Sequence, residues 1–175
     1  DGAREKAHGH WTGAAQAQAK AGDLSGAADS FGRAMRLNPL NTEVMRGFLD
    51  CCLKLDNPAP ALEQLKQSLD AAPDNLDLRE MLGKAQLAAG DPESAFKTFL
   101  IVISMDESRF ESFVDIARVF ADRKQYDQAI SCLDKIVPTL ISRRETGRAR
   151  QLYESILQNR PDHVATMERL ASIHS

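Results

Sequence analysis

Residues 11–39 read WTGAAQAQAKAGDLSGAADSFGRAMRLNP, and this stretch carries the pattern that decides the fold. Two alanine-containing segments without a proline are separated at Gly22 and enclosed by Trp11 and Pro39. The alanine at position 27 recurs at one constant interval, as Ala61, Ala95 and Ala129. The large apolar residue at position 31 recurs at the same interval, as Leu65, Phe99 and Leu133. A fixed period of about 34 residues is typical of proteins built from stacked repeats.

Elementary packing explains the spacing. A unit of this length has room for two α-helices of about 13 residues and two short turns. A small residue such as Ala27 lets the second helix approach the first closely, because a larger side chain would hold the axes apart. One helical hairpin cannot bury its apolar faces alone, so neighbouring hairpins stack. No stretch alternates apolar and polar residues as a strand does. We therefore expect an all-α chain.

The spacing of these residues resembles a known repeat family. The residues that carry the likeness in the first unit are Trp11, Ala27, Phe31, Ala34 and Pro39. This set resembles the tetratricopeptide repeat motif, which has these residue types at positions 4, 20, 24, 27 and 32. Leu82-Gly83 adds the Leu-Gly pair of the motif, whereas Arg79 and Glu107 replace its usual aromatic residue and proline. The resemblance implies a right-handed superhelix, or solenoid, of stacked helical hairpins with about ten helices.

End signals place the helices along the chain. We predict helices over residues 5–21, 24–37, 42–55, 58–71, 76–89, 92–105, 109–122, 126–142, 146–159 and 163–174. A short polar side chain before a helix can accept a hydrogen bond from a free N–H at its start. The N-cap candidates are Asp23, Asn41, Asn57, Asn75, Asp91 and Asp162. Ser108 and Glu111 are spaced as a capping box, and Gly22 and Gly90 lie at turns inside hairpins.

The chain is predicted to be a single repeat domain over residues 1–175, with units at about 8–41, 42–75, 76–109 and 110–143. The register then breaks, because Ala149 matches the motif after less than two thirds of the usual interval from Ala129. The helix over 126–142 is expected to serve two neighbours, and an irregular fifth unit at about 130–161 shares it. The terminal helix, 163–174, has apolar residues that need a partner. It either caps the array or, as we favour, opens a further unit of a longer protein.

Composition argues against several classes of protein. The apolar fraction of 43% and charged fraction of 27% are those of a globular protein. No apolar run approaches the length of a membrane span, and a net charge of -3 predicts no nucleic-acid surface. Cys51, Cys52 and Cys132 fit neither a disulfide framework nor a zinc site. We expect them to be buried or half-buried, in a cytoplasmic protein. Because the chain opens with Asp1 rather than Met, we expect it to be a fragment.

The resemblance also implies a binding surface. In this family the first helix of each hairpin lines a concave groove that binds a peptide or helix of a protein partner. Carried onto this sequence, the groove candidates are Gln16, Arg46, Asp50, Lys54, Glu80, Lys84, Asp115 and Arg118. The alternative interpretation is an ordinary solvated face whose charges pair along each helix, as Asp50 with Lys54 and Glu80 with Lys84.

One subset of the family clamps a C-terminal carboxylate with basic and amide side chains. The corresponding positions here hold Thr12, Gln16, Gly47, Asp77 and Met81. Because these include no basic pair and Asp77 would repel a carboxylate, we do not expect that function.

No arrangement of residues points to catalysis, and there is no glycine-rich phosphate loop. We expect no enzymatic activity, no cofactor and no metal. His8 and His10 are interpreted as an exposed start of the first helix, and Trp11 as a core residue. The basic cluster Arg143, Arg144, Arg148 and Arg150 is interpreted as a local surface feature.

The favoured function is a protein-interaction scaffold or adaptor. A second hypothesis is a recruiting or regulatory segment of a larger multidomain protein. A third is a self-assembly module, a homo-oligomer that stacks through its terminal helix. We expect neither nucleic-acid binding nor membrane insertion.

Overall fold

The computed structural model describes residues 2–173, which contain ten α-helices and no β-strand. The helices are α1 (Gly2–Lys20), α2 (Leu24–Leu37), α3 (Thr42–Lys54), α4 (Ala59–Ala71), α5 (Leu76–Ala88), α6 (Pro92–Met105), α7 (Glu111–Asp122), α8 (Tyr126–Ser142), α9 (Thr146–Asn159) and α10 (Val164–Ile173). The all-α fold class and the number of helices are as predicted. The largest differences are an earlier start of α1 and a 3₁₀ turn, Glu107–Arg109, before α7.

The chain divides into two compact units, one ending at Thr98 and the other beginning at Phe99. In the first unit α1 packs against α2, α3 against α4, and α2 against α3. Helix α3 also contacts both α1 and α5, so the first helices of successive hairpins lie side by side. In the second unit α8 packs against both α7 and α9, α9 packs against α10, and α7 also contacts α9.

The repeating positions form the cores of these units. The alanines at 27, 61, 95 and 129 are completely buried, and so is Ala149. The large residues Phe31, Leu65, Phe99 and Leu133 are buried as well. Trp11 differs from the prediction, because it is only half-buried against the core. The guanidinium of Arg33 lies 4.5 Å from the centroid of the Trp11 ring and shields it from solvent on that side. The three cysteines are buried, as predicted.

A turn with left-handed backbone recurs at the same period. Positive φ angles occur at Gly22 and Gly90, and at the non-glycine residues Asp56 and Lys124. These four positions follow one another at the repeat interval, and each comes after the end of the first helix of a hairpin. Arg144, with a φ of 62°, repeats the turn at the shortened interval that separates Ala129 from Ala149. The backbone therefore keeps its turn at positions where the sequence has lost its glycine.

Four of the six predicted N-caps are confirmed. Side-chain oxygens of Asp23, Asn41, Asn75 and Asp91 accept hydrogen bonds from the backbone N–H three residues later, at 2.9–3.1 Å. Asn57 is not a cap, because α4 begins at Ala59 and the residue before it is Pro58, which makes no side-chain cap.

Two other predicted helix starts are wrong. Asp162 was the expected cap of α10, but the helix begins at Val164 and the Nδ1 atom of His163 lies 3.0 Å from the Thr166 hydroxyl. Ser108 and Glu111 were expected to cap α7. Instead the Asp106 carboxylate accepts from both the backbone N–H and the hydroxyl of Ser108, which fixes Ser108 inside the 3₁₀ turn. Helix α7 follows Phe110, which makes no side-chain cap.

Candidate functional site

The predicted groove residues of the first unit lie on α1, α3 and α5, whose outward side we name the first-helix face. Because α3 contacts both α1 and α5, the outward residues of these three helices share one surface. Five of the predicted residues on it are exposed and the sixth, Glu80, is half-buried. The six are Gln16, Arg46, Asp50, Lys54, Glu80 and Lys84.

The charges on this face differ in how they are paired. On α5, Lys84 Nζ lies 3.0 Å from Glu80 Oε1, so the ion pair expected one turn apart is present. On α3, Asp50 and Lys54 form no ion pair within 4.0 Å, and the expected pairing there is wrong. Arg46, one turn before Asp50, has no carboxylate within that distance among the described residues either. Helix α3 thus presents cation, anion and cation in turn, none of them in an ion pair within 4.0 Å.

The core under this face is anchored between the helices of the first and third hairpins. The Gln18 side-chain amide lies 2.7 Å from the Ser30 hydroxyl, which links α1 to α2. At the equivalent positions of the third hairpin, the Thr98 hydroxyl donates to Gln86 at 2.8 Å. These buried or half-buried hydrogen bonds fix the first helix of a hairpin against the second, and they orient the outward residues of α1 and α5.

The remaining predicted residues, Asp115 and Arg118, lie on α7 in the second unit. Their side chains are 58% and 70% exposed and their closest charged atoms are 3.9 Å apart, which is a weak surface pair. Arg118 lines a cleft of about 400 Å³ between α7 and α9, whereas Asp115 does not. We name this the α7–α9 cleft. Only Arg118 among the eight predicted residues lines it.

Helix α9 supplies the residues of this cleft that the sequence did not reveal. Polar side chains of α9 that line it are Arg148, Gln151, Ser155, Gln158 and Asn159. The motif places Ala149 and Tyr153 on a second helix and therefore predicts no groove position for α9. In the structure α9 contacts α7. The shortened interval before Ala149 is the available signal, because it leaves out one helix of the usual pair and so shifts the alternation of first and second helices by one.

Arg148 is held in place by several partners. Its guanidinium lies 2.5 Å from a carboxylate oxygen of Glu111 and 3.5 Å from one of Glu145. It also lies 5.4 Å from the centroid of the Phe110 ring. The hydrogen bond to Glu111 raises the pKa of Arg148 above its ordinary value. Arg148 therefore forms one fixed edge of the cleft rather than a mobile surface charge.

The other members of the basic cluster do not converge. Arg143 stacks over Phe110 at 5.0 Å, whereas the Arg150 guanidinium lies 2.8 Å from a carboxylate oxygen of Glu154 on its own helix. Arg144 is exposed at its left-handed turn. The cluster is thus divided among separate contacts, as expected of a local surface feature.

The two histidines of α1 differ in exposure. His8 is half-buried, in contrast to the exposed position predicted for it, and His10 is exposed. Within residues 2–173 no group of three or more His, Cys, Asp and Glu side chains could hold a metal ion. None of the helices in this range is both long enough and apolar enough to cross a membrane.

Comparison with known proteins agrees with this architecture. Two family models of the tetratricopeptide repeat match residues 12–75 and 56–112, which together span more than half of the chain. The crystal structure of MamA protein superposes with a TM-score of 0.69 at 16% identity, covering 97% of this chain and 91% of that chain. A tetratricopeptide repeat protein from Parabacteroides merdae gives a TM-score of 0.61 at 16% identity, covering 97% and 73%.

A third solved structure is YrrB, a repeat protein described as having an unusual peptide-binding site. It superposes with a TM-score of 0.53 at 16% identity and covers 91% of this chain and 89% of that chain. At these identities the similarity shows the fold alone. No curated protein matches the sequence significantly.

Proposed function

Because this chain belongs to the tetratricopeptide repeat family, we propose that it is a non-enzymatic scaffold that binds a peptide or helix of a partner protein in its groove. Proteins of this fold serve in general as protein-interaction scaffolds. The groove of the first unit is the first-helix face, and that of the second is the α7–α9 cleft. Because a fold does not fix a function, the proposal depends on the chemistry of these two surfaces.

The observation that carries the proposal is the unpaired charge on α3. Arg46, Asp50 and Lys54 follow one another at intervals of four residues, so they lie along one side of the helix. All three are exposed and have no ion-pair partner within 4.0 Å in the part of the chain that the structure describes. An isolated solvated helix gains stability by pairing such charges, whereas here they stay available in the middle of the face.

The charge order predicts the kind of ligand. A segment that places an acidic, a basic and an acidic group along α3 would meet Arg46, Asp50 and Lys54 in turn. Exposed charges of this kind determine the orientation of the bound segment and its association rate more than its affinity. The α7–α9 cleft offers a different chemistry, because amides and a hydroxyl from α9 can hydrogen-bond the backbone of an extended peptide. That YrrB is named for a peptide-binding site adds support to a peptide ligand.

Affinity capture with surface variants tests the proposal. The purified chain is used as bait in a native lysate, and retained proteins are identified by mass spectrometry. The variants are Arg46→Glu with Lys54→Glu for the first unit, and Arg118→Glu for the second. Lys84 is left unchanged because Glu80 already neutralises it. We expect loss of the partner from at least one variant, with helicity by circular dichroism unchanged.

A matched control separates a specific surface from total charge. Lys66→Glu with Lys97→Glu changes the net charge by the same amount as the α3 variant, but at exposed positions on α4 and α6. The control should retain the partner that the α3 variant loses. If a partner survives both groove variants, or if the control loses it equally, binding does not take place on these surfaces and the proposal is wrong.

A further inference from the structure

The α7–α9 cleft carries opposite charges at two levels along α7, and we infer that it selects an extended peptide segment in which one apolar residue separates an acidic from a basic residue. The acidic side chain meets Arg118, the apolar side chain enters the floor of the cleft, and the basic side chain meets Asp122. This inference rests on the proposed function, because it names the kind of segment that the groove of the second unit binds.

Helices α7 and α9 run side by side in the same direction. Near their starts, the Arg148 guanidinium lies 2.5 Å from a carboxylate oxygen of Glu111. Their last residues, Asp122 and Asn159, both line the cleft. The negative ends of both helix dipoles therefore lie at the Asp122 end, where they add to the charge of its carboxylate. A basic group of a ligand is favoured at that end of the cleft.

Arg118 is the cation that an acidic group of a ligand would meet. Arg148 also lines the cleft, but Glu111 and Glu145 already neutralise it. Within the described residues Arg118 forms an ion pair only with Asp115, at 3.9 Å, and both side chains are more than half exposed, so solvent screens this pair. Asp115 does not line the cleft. An acidic group inside the cleft would therefore pair with Arg118.

The spacing of the two charges matches an extended chain. Arg118 and Asp122 are four residues apart on α7, which is about 6 Å along the helix axis. Two residues of an extended peptide advance about 6.5–7 Å, and the side chains at both ends of this step point to the same side of the backbone. The side chain between them points to the opposite side. A segment whose charged side chains face the exposed rim therefore directs its middle side chain into the cleft.

The floor of the cleft is apolar and narrow. It is formed mainly by Ala117, Ala121, Leu133, Leu152 and Ile156, and the cleft has a volume of about 400 Å³. Because the two alanines are small, an aliphatic side chain can enter between the helices. Helices α7 and α9 contact each other directly, so a partner helix, which is about 10–12 Å across, is too wide to reach this floor. An extended segment reaches it, and the amide side chains of α9 can hydrogen-bond its backbone.

Titration of the isotope-labelled chain with capped pentapeptides, followed by NMR shifts of its backbone amides, tests the inference. The four peptides have glycine at both ends and the cores Glu-Leu-Lys, Lys-Leu-Glu, Lys-Leu-Lys and Glu-Leu-Glu. We expect the wild type to bind a mixed-charge peptide about fivefold more tightly than either like-charge peptide, a factor set by the modest strength of exposed ion pairs. The shifts should centre on α7 and α9. Whether one or both mixed-charge peptides bind reports the direction in which the backbone runs.

Charge reversal should change which peptide is preferred, whichever way the peptide runs. Arg118→Glu leaves an acidic residue at both levels and should prefer Lys-Leu-Lys. Asp122→Lys leaves a basic residue at both levels and should prefer Glu-Leu-Glu. Lys135→Glu and Glu107→Lys are the matched controls, because they make the same changes of charge at exposed positions of the second unit outside this cleft. Both controls should keep the preference of the wild type.

Two further peptides test the shape of the ligand. Replacing leucine by serine in the preferred pentapeptide should weaken binding, because the floor is apolar. An alanine-rich helical peptide with glutamate and lysine four residues apart presents the same two charges at the same spacing. It should bind more weakly than the preferred pentapeptide, because its backbone groups are already paired and its width keeps it out of the cleft.

The inference is overturned if no pentapeptide binds, if all four bind equally, or if the charge variants keep the order of preference of the wild type. Tighter binding of the helical peptide would overturn it as well, in favour of a helical ligand. Failure of the proposed function gives a different result, which is a captured partner that survives both groove variants. A partner that Arg118→Glu loses, while every pentapeptide fails to bind, would leave the scaffold proposal standing and remove only this motif.

Discussion

Gly47 offers the sharpest test of how the first unit is packed. A Cβ atom added at this position would lie 2.5 Å from Cζ of Phe31 and 2.9 Å from both its Cε atoms. Carbon atoms in contact are normally about 3.5–4.0 Å apart, so Gly47→Ala would force the ring to move. Phe31 is only 4% exposed and is enclosed by the core. Overpacking of this kind costs about 1–3 kcal/mol.

Helix propensity acts in the opposite direction, which makes the sign of the result informative. Replacing a glycine inside a helix by alanine stabilises it by about 1 kcal/mol. For Gly47→Ala we expect the clash to win, with a net destabilisation of about 1 kcal/mol. Gly32→Ala is the matched control, because nothing lies within 4 Å of its added Cβ. It should stabilise the protein by about 0.5–1 kcal/mol.

Urea unfolding followed by circular dichroism at the helical minimum measures both variants. The two midpoints should move in opposite directions from the wild type. Adding Phe31→Leu should relieve the clash, because the equivalent pair one repeat later is a smaller Leu65 with a larger Met81, both buried. If Gly47→Ala stabilises the protein as much as Gly32→Ala does, the ring does not rest on Gly47 and the packing described between α2 and α3 is wrong.

Further predictions concern the second unit. Lys124→Gly and Arg144→Gly should each stabilise it by about 1 kcal/mol, because both residues have the left-handed backbone that glycine adopts without strain; unchanged urea midpoints would contradict this. Tyr153→Phe should destabilise by about 1–2 kcal/mol through loss of the hydrogen bond to Asp134, as read from the same unfolding curves. Burial raises the pKa of the Cys132 thiol from 9.0 to about 12, so the folded state holds that proton more tightly than the unfolded chain. Its contribution to stability is complete below about pH 9 and is lost as the pH rises above it, so the urea midpoint should fall less between about pH 8 and pH 10.5 in Cys132→Ala than in the wild type.

The sequence was sufficient for those parts of the fold that depend on local patterns. Helix propensity, the repeat period and short polar caps located ten helices, because each signal acts over a few residues. Only some of the left-handed turns have a signal in the sequence. Glycine marks Gly22 and Gly90, but Asp56 and Lys124 adopt the same backbone without a local signal. Packing of the adjoining helices imposes that conformation.

The errors at helix starts have a related cause. Asp106 bonds to Ser108 within the 3₁₀ turn, and His163 rather than Asp162 directly precedes α10. A capping rule ranks residue types by their frequency before helices. It does not take into account the other hydrogen bonds or ion pairs that a side chain makes. Asp106 bonds two groups of one residue, and the Nε2 atom of His163 lies 3.6 Å from the Asp127 carboxylate of α8. The contact of His163 with Asp127 joins residues far apart in the sequence, so a local capping rule does not predict it.

Reliance on local patterns also explains why the α9 residues of the α7–α9 cleft were not predicted. The motif assigned α9 to a second helix on the strength of Ala149 and Tyr153, and both residues are indeed buried. Burial of these residues fixes the inner side of α9 but not the neighbour that its outer side meets. Helix α8 packs against both α7 and α9. Helix α9 therefore lies beside α7, and its amide side chains line the same cleft as Arg118. A repeat motif predicts which residues pack. Which helix lines the groove depends on the number of helices between two matches, and here the shortened interval between Ala129 and Ala149 changes that number.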